Sequence, residues 1–240
     1  MTLSRIIPSA LAAVTVVAIA FGQTDRFWAA RFSEESPGPP NKSWSVHNFP
    51  KIARHTRFAL VRDGGGTVLK AESDRAASDL VKKMDIDPAR YPYVEWSWKI
   101  DTVIDASGWG EKQSDDFAAR FLVIFDGHDG AFSFFGRWMK RMGGGFNGKA
   151  LSYVWAKDIE RGTVAPSPYT ESVAMIAVES GNENAGVWRI ERRNVVEDFR
   201  AAFGTAPPPI VALAIMVDTD NTESRAVTFY GDIGFLPSPQ

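Results

Sequence analysis

The chain has 240 residues, of which 45% are hydrophobic and 23% charged, the composition of an ordinary globular protein that can bury a core. Its 27 basic and 29 acidic residues give a formal net charge of -2. No long-range positive field therefore favours nucleic acid or an anionic membrane surface, and we expect no nucleic-acid partner. The absence of cysteine excludes disulfides, a cysteine nucleophile and a lipid-modified cysteine.

The first 22 residues have the order of a secretory signal peptide. One basic residue, Arg5, precedes an apolar run over residues 6–21, and small residues end the run. This order predicts cleavage after Ala20 or Gly22 and export to the periplasm. The alternative is an uncleaved segment that anchors the protein in the inner membrane facing the periplasm, although a spanning helix needs about 20 apolar residues. We expect contact with a membrane only through this segment.

Residues 23–43 are polar and rich in proline, which predicts a linker. Residues 44–240 then form a single domain, in which short apolar stretches alternate with Gly, Pro, Asp and Asn. In residues 93–101, Trp and aliphatic residues alternate with polar ones, which predicts a strand with one buried face. Many such strands predict a mainly β protein, an antiparallel sandwich or jelly roll with one or two short helices.

The most distinct helix is predicted after Asn194. This residue is a suitable N-cap, with Glu197 at the capping-box position, and apolar residues follow at helical spacing. Gly204 can adopt the left-handed conformation that ends a helix, and the prolines after it prevent continuation.

Acidic residues cluster near the C-terminus. Asp218, Asp220 and Thr222 have the spacing that opens a calcium-binding loop, but Glu223 replaces the required glycine and Phe229 the bidentate glutamate. An EF-hand is therefore excluded. Either a turn held by side-chain hydrogen bonds or a different metal site remains possible, and the turn is favoured.

The last predicted strand alternates over residues 225–235. Strict alternation predicts that Val227, Phe229, Ile233 and Phe235 face the core, and that Thr228, Tyr230 and Asp232 face the other way. Gly231 and Gly234 permit a bulge or a close backbone contact. Asp232 is a candidate ligand for a structural cation, or else an exposed or hydrogen-bonded carboxylate. No cofactor is required by any motif.

Charged residues also accompany the strand at residues 117–126. Asp116 and Arg120 share one side by parity, and an arginine on a sheet face needs a carboxylate partner or an anionic ligand. They form either the floor of a charged binding site or part of a ladder of ion pairs on a solvated face, and the ladder is the commoner arrangement.

Other ligand candidates lie in predicted loops or beside them. Trp109 and Trp138 can stack on a sugar or a protein partner, or anchor their loops to the core. His128 lies in a glycine-flanked loop directly after a strand, and Tyr153 is a candidate proton-transfer group.

The order of these motifs resembles a bacterial family known as domain of unknown function 3047. The matching stretches are YPYVEWSWKID, DDFAARFLVIFDG, LSYVWA, WRIERRNVVEDFRAAFG and IMVDTDNTESRAVTFYGDIGF. More loosely, the chain resembles galactose-binding-type jelly rolls of carbohydrate-binding modules. That resemblance implies a possible structural calcium near the terminal strands, with Asp232 as the candidate, and a glycan as ligand.

The leading hypothesis is an exported, non-catalytic sandwich that binds a glycan or another cell-envelope component. The first alternative is a polysaccharide lyase or hydrolase that uses the concave sheet face, with Arg120 neutralising a uronate. The second is a structural or assembly protein whose exposed aromatic residues bind another protein.

Overall fold

The computed structural model describes residues 25–127 and 148–239. This part of the chain forms thirteen strands and one α-helix, α1 (Val195–Phe203). The strands are β1 (Phe27–Ala30), β2 (Trp44–Asn48), β3 (Arg57–Asp63), β4 (Gly66–Asp74), β5 (Ser78–Ile86), β6 (Tyr93–Ile100), β7 (Ala119–Phe125), β8 (Lys149–Ala156), β9 (Val164–Ser167), β10 (Thr170–Ser180), β11 (Arg189–Asn194), β12 (Ile210–Met216) and β13 (Arg225–Leu236). Among the described residues, no helix is both long and apolar enough to cross a membrane.

The described strands form two sheets packed as a sandwich, which confirms the predicted fold class. Sheet A has the order β11-β6-β13-β4-β3, with β1 added beside β13. Sheet B has the order β2-β5-β12-β7-β8-β10-β9. All described pairings are antiparallel except that of β10 with β8, so sheet B is mixed rather than purely antiparallel. The sandwich is consistent with the jelly-roll resemblance.

Aromatic rings fill the space between the sheets. Trp96 and Trp98 of β6 point inward from sheet A, as their alternation predicted, and both are fully buried. The Trp96 ring lies 4.8 Å from that of Phe121 and 5.1 Å from that of Tyr153, and Trp98 lies 5.9 Å from Trp155. Offset and tilted aromatic contacts of this kind stabilise a core beyond the area that they bury.

The folded part begins earlier than the sequence indicated. Residues 27–30, within the predicted linker, form β1 and pair with the last strand, with Phe27 opposite Phe235. Phe32, also in the predicted linker, is completely buried in the main core. The polar and proline-rich composition of residues 33–43 concealed the short apolar segment before them. The sandwich therefore starts near Phe27 rather than near Trp44.

A β-bulge in the last strand, β13, changes which residues of the strand face the core. Its register against β6 shifts between Tyr230 and Ile233. Before the shift, Thr228 and Tyr230 face the core, and Phe229 faces outward, which is the reverse of the predicted alternation. The Tyr230 hydroxyl donates to the carbonyl oxygens of two neighbouring strands of sheet B. Beyond the bulge the predicted orientation holds, since Ile233 is buried as expected.

Helix α1 begins and ends where the sequence predicted. The Asn194 side chain accepts hydrogen bonds from the backbone amides of Val196 and Glu197, and Gly204 ends the helix with a φ of 72°. Satisfying the free amides of the first turn stabilises a helix by about 1 kcal/mol. Phe199 packs its ring 4.6 Å from Phe125, which attaches α1 to sheet B.

The burial of Phe32 gives a direct test of where the folded domain begins. Replacing Phe32 with Ala leaves a cavity in the core, so we expect the free energy of unfolding in urea to fall by about 3–5 kcal/mol. Phe27→Ala is the matched control, because that ring is 38% exposed and its removal should cost about 1 kcal/mol or less. Small, equal effects of the two substitutions would contradict the inclusion of residues 27–34 in the cooperative domain.

Candidate functional site

The outward side of sheet A combines aromatic rings with charged side chains. Strand β6 presents Glu95, Ser97 and Lys99 there, because its other side carries the buried tryptophans. Phe229 lies opposite Lys99 on β13, brought to this side before the bulge. We call this surface the aromatic face. It consists of Trp28, Glu95, Ser97, Lys99, Trp188, Arg192 and Phe229, all partly or well exposed.

Lys99 holds one half of the aromatic face together. Its ammonium lies 4.6 Å from the ring centroid of Phe229 and 5.2 Å from that of Trp188. It also donates to Asp63 Oδ2 at 2.7 Å, and the Trp188 indole N–H donates to the same oxygen at 2.9 Å. The hydrogen bond from Lys99, with help from Trp188, lowers the pKa of Asp63. Trp188 is thus fixed by a hydrogen bond to a carboxylate, and the Phe229 ring is fixed by its cation–π contact with Lys99.

Gly231 and Gly234 allow close side-chain contacts on this face. A Cβ on Gly231 would lie 2.2 Å from Ser97 Oγ and 3.8 Å from the Trp188 ring. A Cβ on Gly234 would lie 3.0 Å from Arg26 Cδ and 3.4 Å from the Trp28 ring. The bulge and the close contacts that the two glycines suggested are therefore both present. The tightest contacts are with Ser97 and Arg26, and the tryptophan rings lie at van der Waals distance beside them.

The second half of the face surrounds Trp28, which is 39% exposed. The guanidinium groups of Arg26 and Arg31 lie 4.7 and 5.3 Å from its ring centroid. Glu95 pairs with Arg26 at 2.8 Å and with Arg192 at 2.5 Å. Partial burial acts to raise the pKa of Glu95, but the two arginines outweigh it and lower the pKa. Glu95 is therefore a fixed, ionised acceptor between the two halves.

The dimensions of the face follow from the strand geometry. Gly231 and Gly234 are three residues apart on β13, which corresponds to about 10 Å along a strand. Trp188 and Trp28 lie beside these two positions, so one partly buried and one exposed ring flank a stretch of fixed donors and acceptors. The arrangement can bind a ligand that has both apolar faces and many hydrogen-bonding groups.

Sequence reasoning missed the main members of this face, for identifiable reasons. Trp28 lay in the predicted linker, and Trp188 appeared only as the first residue of the family-matching stretch WRIERRNVVEDFRAAFG. Phe229 was placed in the core because uninterrupted alternation was assumed. The signal that could have corrected the last error was Gly231, already recognised as a possible bulge position.

Arg120 is buried and paired within the chain. Its Nε and Nη2 donate to the two oxygens of Asp218 at 3.0 and 2.8 Å, and Nη2 lies 3.1 Å from Asp115 Oδ2. Its guanidinium lies 4.4 Å from the ring centroid of Phe117. Burial opposes the charge, but the two aspartates outweigh burial and raise the pKa of Arg120. This closed network favours the ion-pair interpretation, here in the interior rather than on a solvated face, over a ligand-binding floor.

Asp116 accepts the hydrogen bonds that fix the turn after Asp218. It is fully buried, and its oxygens accept from the backbone amides of Asn221 and Thr222 and from the Thr222 hydroxyl. Residues 220–223 form the favoured turn, fixed by Asp116 on one side and by the pairing of Asp218 with Arg120 on the other.

Tyr153 lies in the core between the sheets. Its hydroxyl donates to Asp198 Oδ2 at 2.9 Å, and Asp198 also pairs with Arg193. Burial, with Asp198 close by, raises the pKa of Tyr153 well above its usual value. A neutral, buried phenol that ties α1 to sheet B has a structural role in this fold.

Trp109 is partly buried and contacts Phe117 edge-on, with ring centroids 6.0 Å apart. It therefore anchors its loop while keeping some exposed surface. His128 and Trp138 lie outside the described residues.

Asp232, the candidate cation ligand, accepts from the backbone amide of Ser33 at 2.9 Å and from its hydroxyl at 2.5 Å. Both carboxylate oxygens are thus engaged by the segment that follows β1. Across the described ranges, no three acidic or histidine side chains gather in a way that could hold a metal ion.

A pair of buried carboxylates, Glu179 and Glu191, joins a strand of sheet B to a strand of sheet A. Glu191 of β11 and Glu179 of β10 both approach the partly exposed Arg161, at 3.7 and 3.9 Å. Arg189 pairs with Glu179 at 3.1 Å. Burial raises the pKa of Glu191 to about 7, with Glu179 adding to the shift and Arg161 opposing it.

The fold and these surfaces define a two-sheet β-sandwich with a closed interior and a polar, aromatic outer face on one sheet. The chain belongs to the family described as Protein of unknown function (DUF3047), which matches residues 42–234. This confirms the resemblance found in the sequence. A comparison with curated proteins found no match.

Two solved structures show distant similarity to the chain. The glycoside hydrolase domain Spr0440, Endo-D, from Streptococcus pneumoniae R6 is 10% identical with a TM-score of 0.36, over 82% of this chain and 22% of that one. Cellulose induced protein, Cip1, is 9% identical with a TM-score of 0.40, over 85% of this chain and 98% of that one. The chain thus spans about a fifth of the length of the Endo-D domain.

The buried network around Arg120 gives a stability prediction. Arg120→Met leaves Asp115 and Asp218 buried without their cation, so we expect the free energy of unfolding in urea to fall by about 3–5 kcal/mol. Arg57→Met is the control, because the Arg57 side chain is 80% exposed and its ion pair should contribute less than about 1 kcal/mol. A stable Arg120→Met variant that has lost ligand binding would instead assign Arg120 to a binding site.

Glu191 gives a pH prediction. Its pKa is raised from 4.5 to about 7 on folding, so the folded state binds its proton more tightly than the unfolded state. Stability should therefore fall as the pH rises from about 4.5 to about 7, by roughly 3 kcal/mol from this group. Chemical denaturation across this range should show that Glu191→Gln removes most of the decline. A decline of equal size in the variant would show that other groups cause it.

Proposed function

We propose that the protein is an exported, non-catalytic β-sandwich that binds a glycan or another glycan-bearing component of the cell envelope through its aromatic face. The observation that carries the proposal is the combination of an exposed tryptophan, Trp28, and a partly buried one, Trp188, with fixed, ionised side chains on one sheet surface. Trp188 and Trp28 lie beside Gly231 and Gly234, and Lys99, Asp63 and Glu95 supply oriented donors and acceptors between them.

A sugar has the two properties that this surface matches. The apolar C–H face of a pyranose ring packs on an aromatic ring, and its hydroxyls require hydrogen-bonding partners. Charged partners that are already held in place lose little conformational freedom when a ligand binds. Lys99 and Glu95 are held in this way by Asp63 and by two arginines.

Export rests on the first 22 residues. Their short apolar run and terminal small residues support cleavage and release into the periplasm. Retention of the segment as an inner-membrane anchor is the alternative, and it would place the same sandwich at the periplasmic side of that membrane.

The burial of Glu179 and Glu191 favours a binding role for the protein over a catalytic one. A glycoside hydrolase needs an acid and a base that converge on an accessible sugar-binding cleft. Glu179 and Glu191 do converge, but their side chains are 2% and 7% exposed and Arg161 contacts both. Tyr153, the proton-transfer candidate, is in the core.

A protein partner is the second candidate, on the evidence of one exposed apolar site. Ile190 on the edge strand β11 is 72% exposed, and Val187 just before it is 53% exposed. An edge strand with protruding apolar side chains can pair with another chain. Ile190 lies opposite Ser97 on the outward side of sheet A, so a protein bound there would cover the β11 edge of the aromatic face.

The test is a binding screen of the full chain by calorimetry against peptidoglycan fragments and envelope and plant polysaccharides, with calcium and with chelator. For any glycan that binds, Trp188→Ala and Trp28→Ala should each raise the dissociation constant by about tenfold, because each removes a stacking ring. Trp109→Ala is the comparison, since that ring lies outside the aromatic face.

Loss of binding only in Trp109→Ala would move the site to the loop before β7. Absence of binding to every glycan would contradict the proposed function and favour the protein partner. Turnover of a bound polysaccharide would replace the binding role with an enzymatic one.

A further inference from the structure

A cavity of about 300 Å³ lies at one end of sheet A. It forms where β3 and β13 begin and β4 ends, because antiparallel pairing brings these ends together. The residues that line it are Arg54, His55, Arg57, Glu72, Ser73, Asp74 and Arg225. Three of the seven are arginines.

Positive charge exceeds negative charge around the cavity. Glu72 is approached by Lys70 at 2.9 Å and by Arg57 at 3.6 Å. Asp74 is approached by two further arginines, Arg54 at 2.5 Å and Arg75 at 3.2 Å.

Arg225 adds a fifth cation, so five positive groups surround two carboxylates. Within the described part of the chain, no carboxylate lies within 4.0 Å of the Arg225 guanidinium, and Arg57 is only loosely paired. The hydrogen bond from Lys70, followed by the charges of Lys70, Arg57 and Arg225, lowers the pKa of Glu72. The internal carboxylates therefore leave a surplus of positive charge unneutralised.

The cavity is continuous with the aromatic face. Along the sheet, Arg57 lies opposite Glu72, which lies opposite Val227. Two residues further along the strands, on the same outward side of the sheet, Lys70 lies opposite Phe229, and Phe229 lies opposite Lys99. A chain-like ligand on the aromatic face can extend over Phe229 into the cavity, because Arg225 and Phe229 are about 13 Å apart along β13.

On these grounds we infer that the cavity binds the anionic group, a carboxylate or a sulfate ester, of an acidic sugar in the glycan that packs on the aromatic face. The inference rests on the proposed function and specifies the ligand class. Arginine suits the task because its planar guanidinium pairs with both oxygens of such a group. Exposed ion pairs contribute little, so an incoming anion can displace Asp74 or Glu72 from an arginine at small cost.

The experiment uses two matched pairs of polymers that differ in charge. Polygalacturonate is compared with its methyl ester, and dextran sulfate with dextran, by calorimetry on the full chain at fixed ionic strength. We expect at least one charged member to bind about tenfold more tightly than its neutral partner, with the preference shrinking as salt is added. The pair that shows the preference identifies the anion as carboxylate or sulfate.

The variant is the double substitution Arg57→Gln with Arg225→Gln, which should abolish the preference for charge while leaving neutral binding unchanged. Its control is Lys42→Gln with Arg200→Gln, which removes the same charge from exposed positions outside the cavity. Equal affinity for charged and neutral members, or an equal loss in the control, overturns the inference but leaves glycan binding intact.

Failure of all four polymers to bind, together with a negative result in the wider glycan screen, contradicts the proposed function, and inorganic sulfate then tests the cavity by itself. Titration followed by the arginine Nε–Hε NMR signals should show saturable shifts that the double variant lacks and the control retains. Such shifts support an anion site without a glycan role, whereas their absence overturns the cavity assignment as well.

Discussion

The β-bulge in β13, which reverses the direction in which alternate side chains point, is the constraint on which the rest of sheet A depends. Before the bulge at Gly231, the strand pairs with β4 and turns Thr228 and Tyr230 inward; beyond it, β1 takes the place of β4 as the partner strand. A strand with unbroken alternation would place Phe229 in the core and remove a ring from the outer surface. The bulge thus separates the residues that stabilise the sandwich from those that form the aromatic face.

Charge is distributed differently inside and outside the sandwich. Inside, Arg120 is enclosed by Asp115 and Asp218, and such buried networks fix one arrangement more than they add net stability. Outside, Lys99 and Glu95 make charged contacts that remain open to water on one side. Both places pair cationic side chains with carboxylates, so the pairs themselves do not separate a structural role from the proposed ligand-binding one, and burial is the observation that distinguishes them.

Local patterns in the sequence were sufficient to predict the sandwich, the helix and its caps, because alternation, capping and turn chemistry depend on neighbouring residues. The inward tryptophans of β6 and the turn after Asp218 were predicted on that basis. The candidate site was largely missed because it depends on pairing between distant segments. Trp28 reaches the face through the pairing of β1 with β13, and Trp188 is held there by Asp63 and Lys99, which lie far from it in sequence. Neither contact leaves a local signature.

The pairing of β1 with β13 joins the two ends of the described chain, with Phe27 opposite Phe235. Contacts between segments so far apart in sequence give the fold a high contact order, which slows folding. Sheet A cannot be completed until β13 has been synthesised, because β13 pairs with β1, β4 and β6. Late completion of the sheet is compatible with the export that we propose, because passage through a membrane channel requires an unfolded chain.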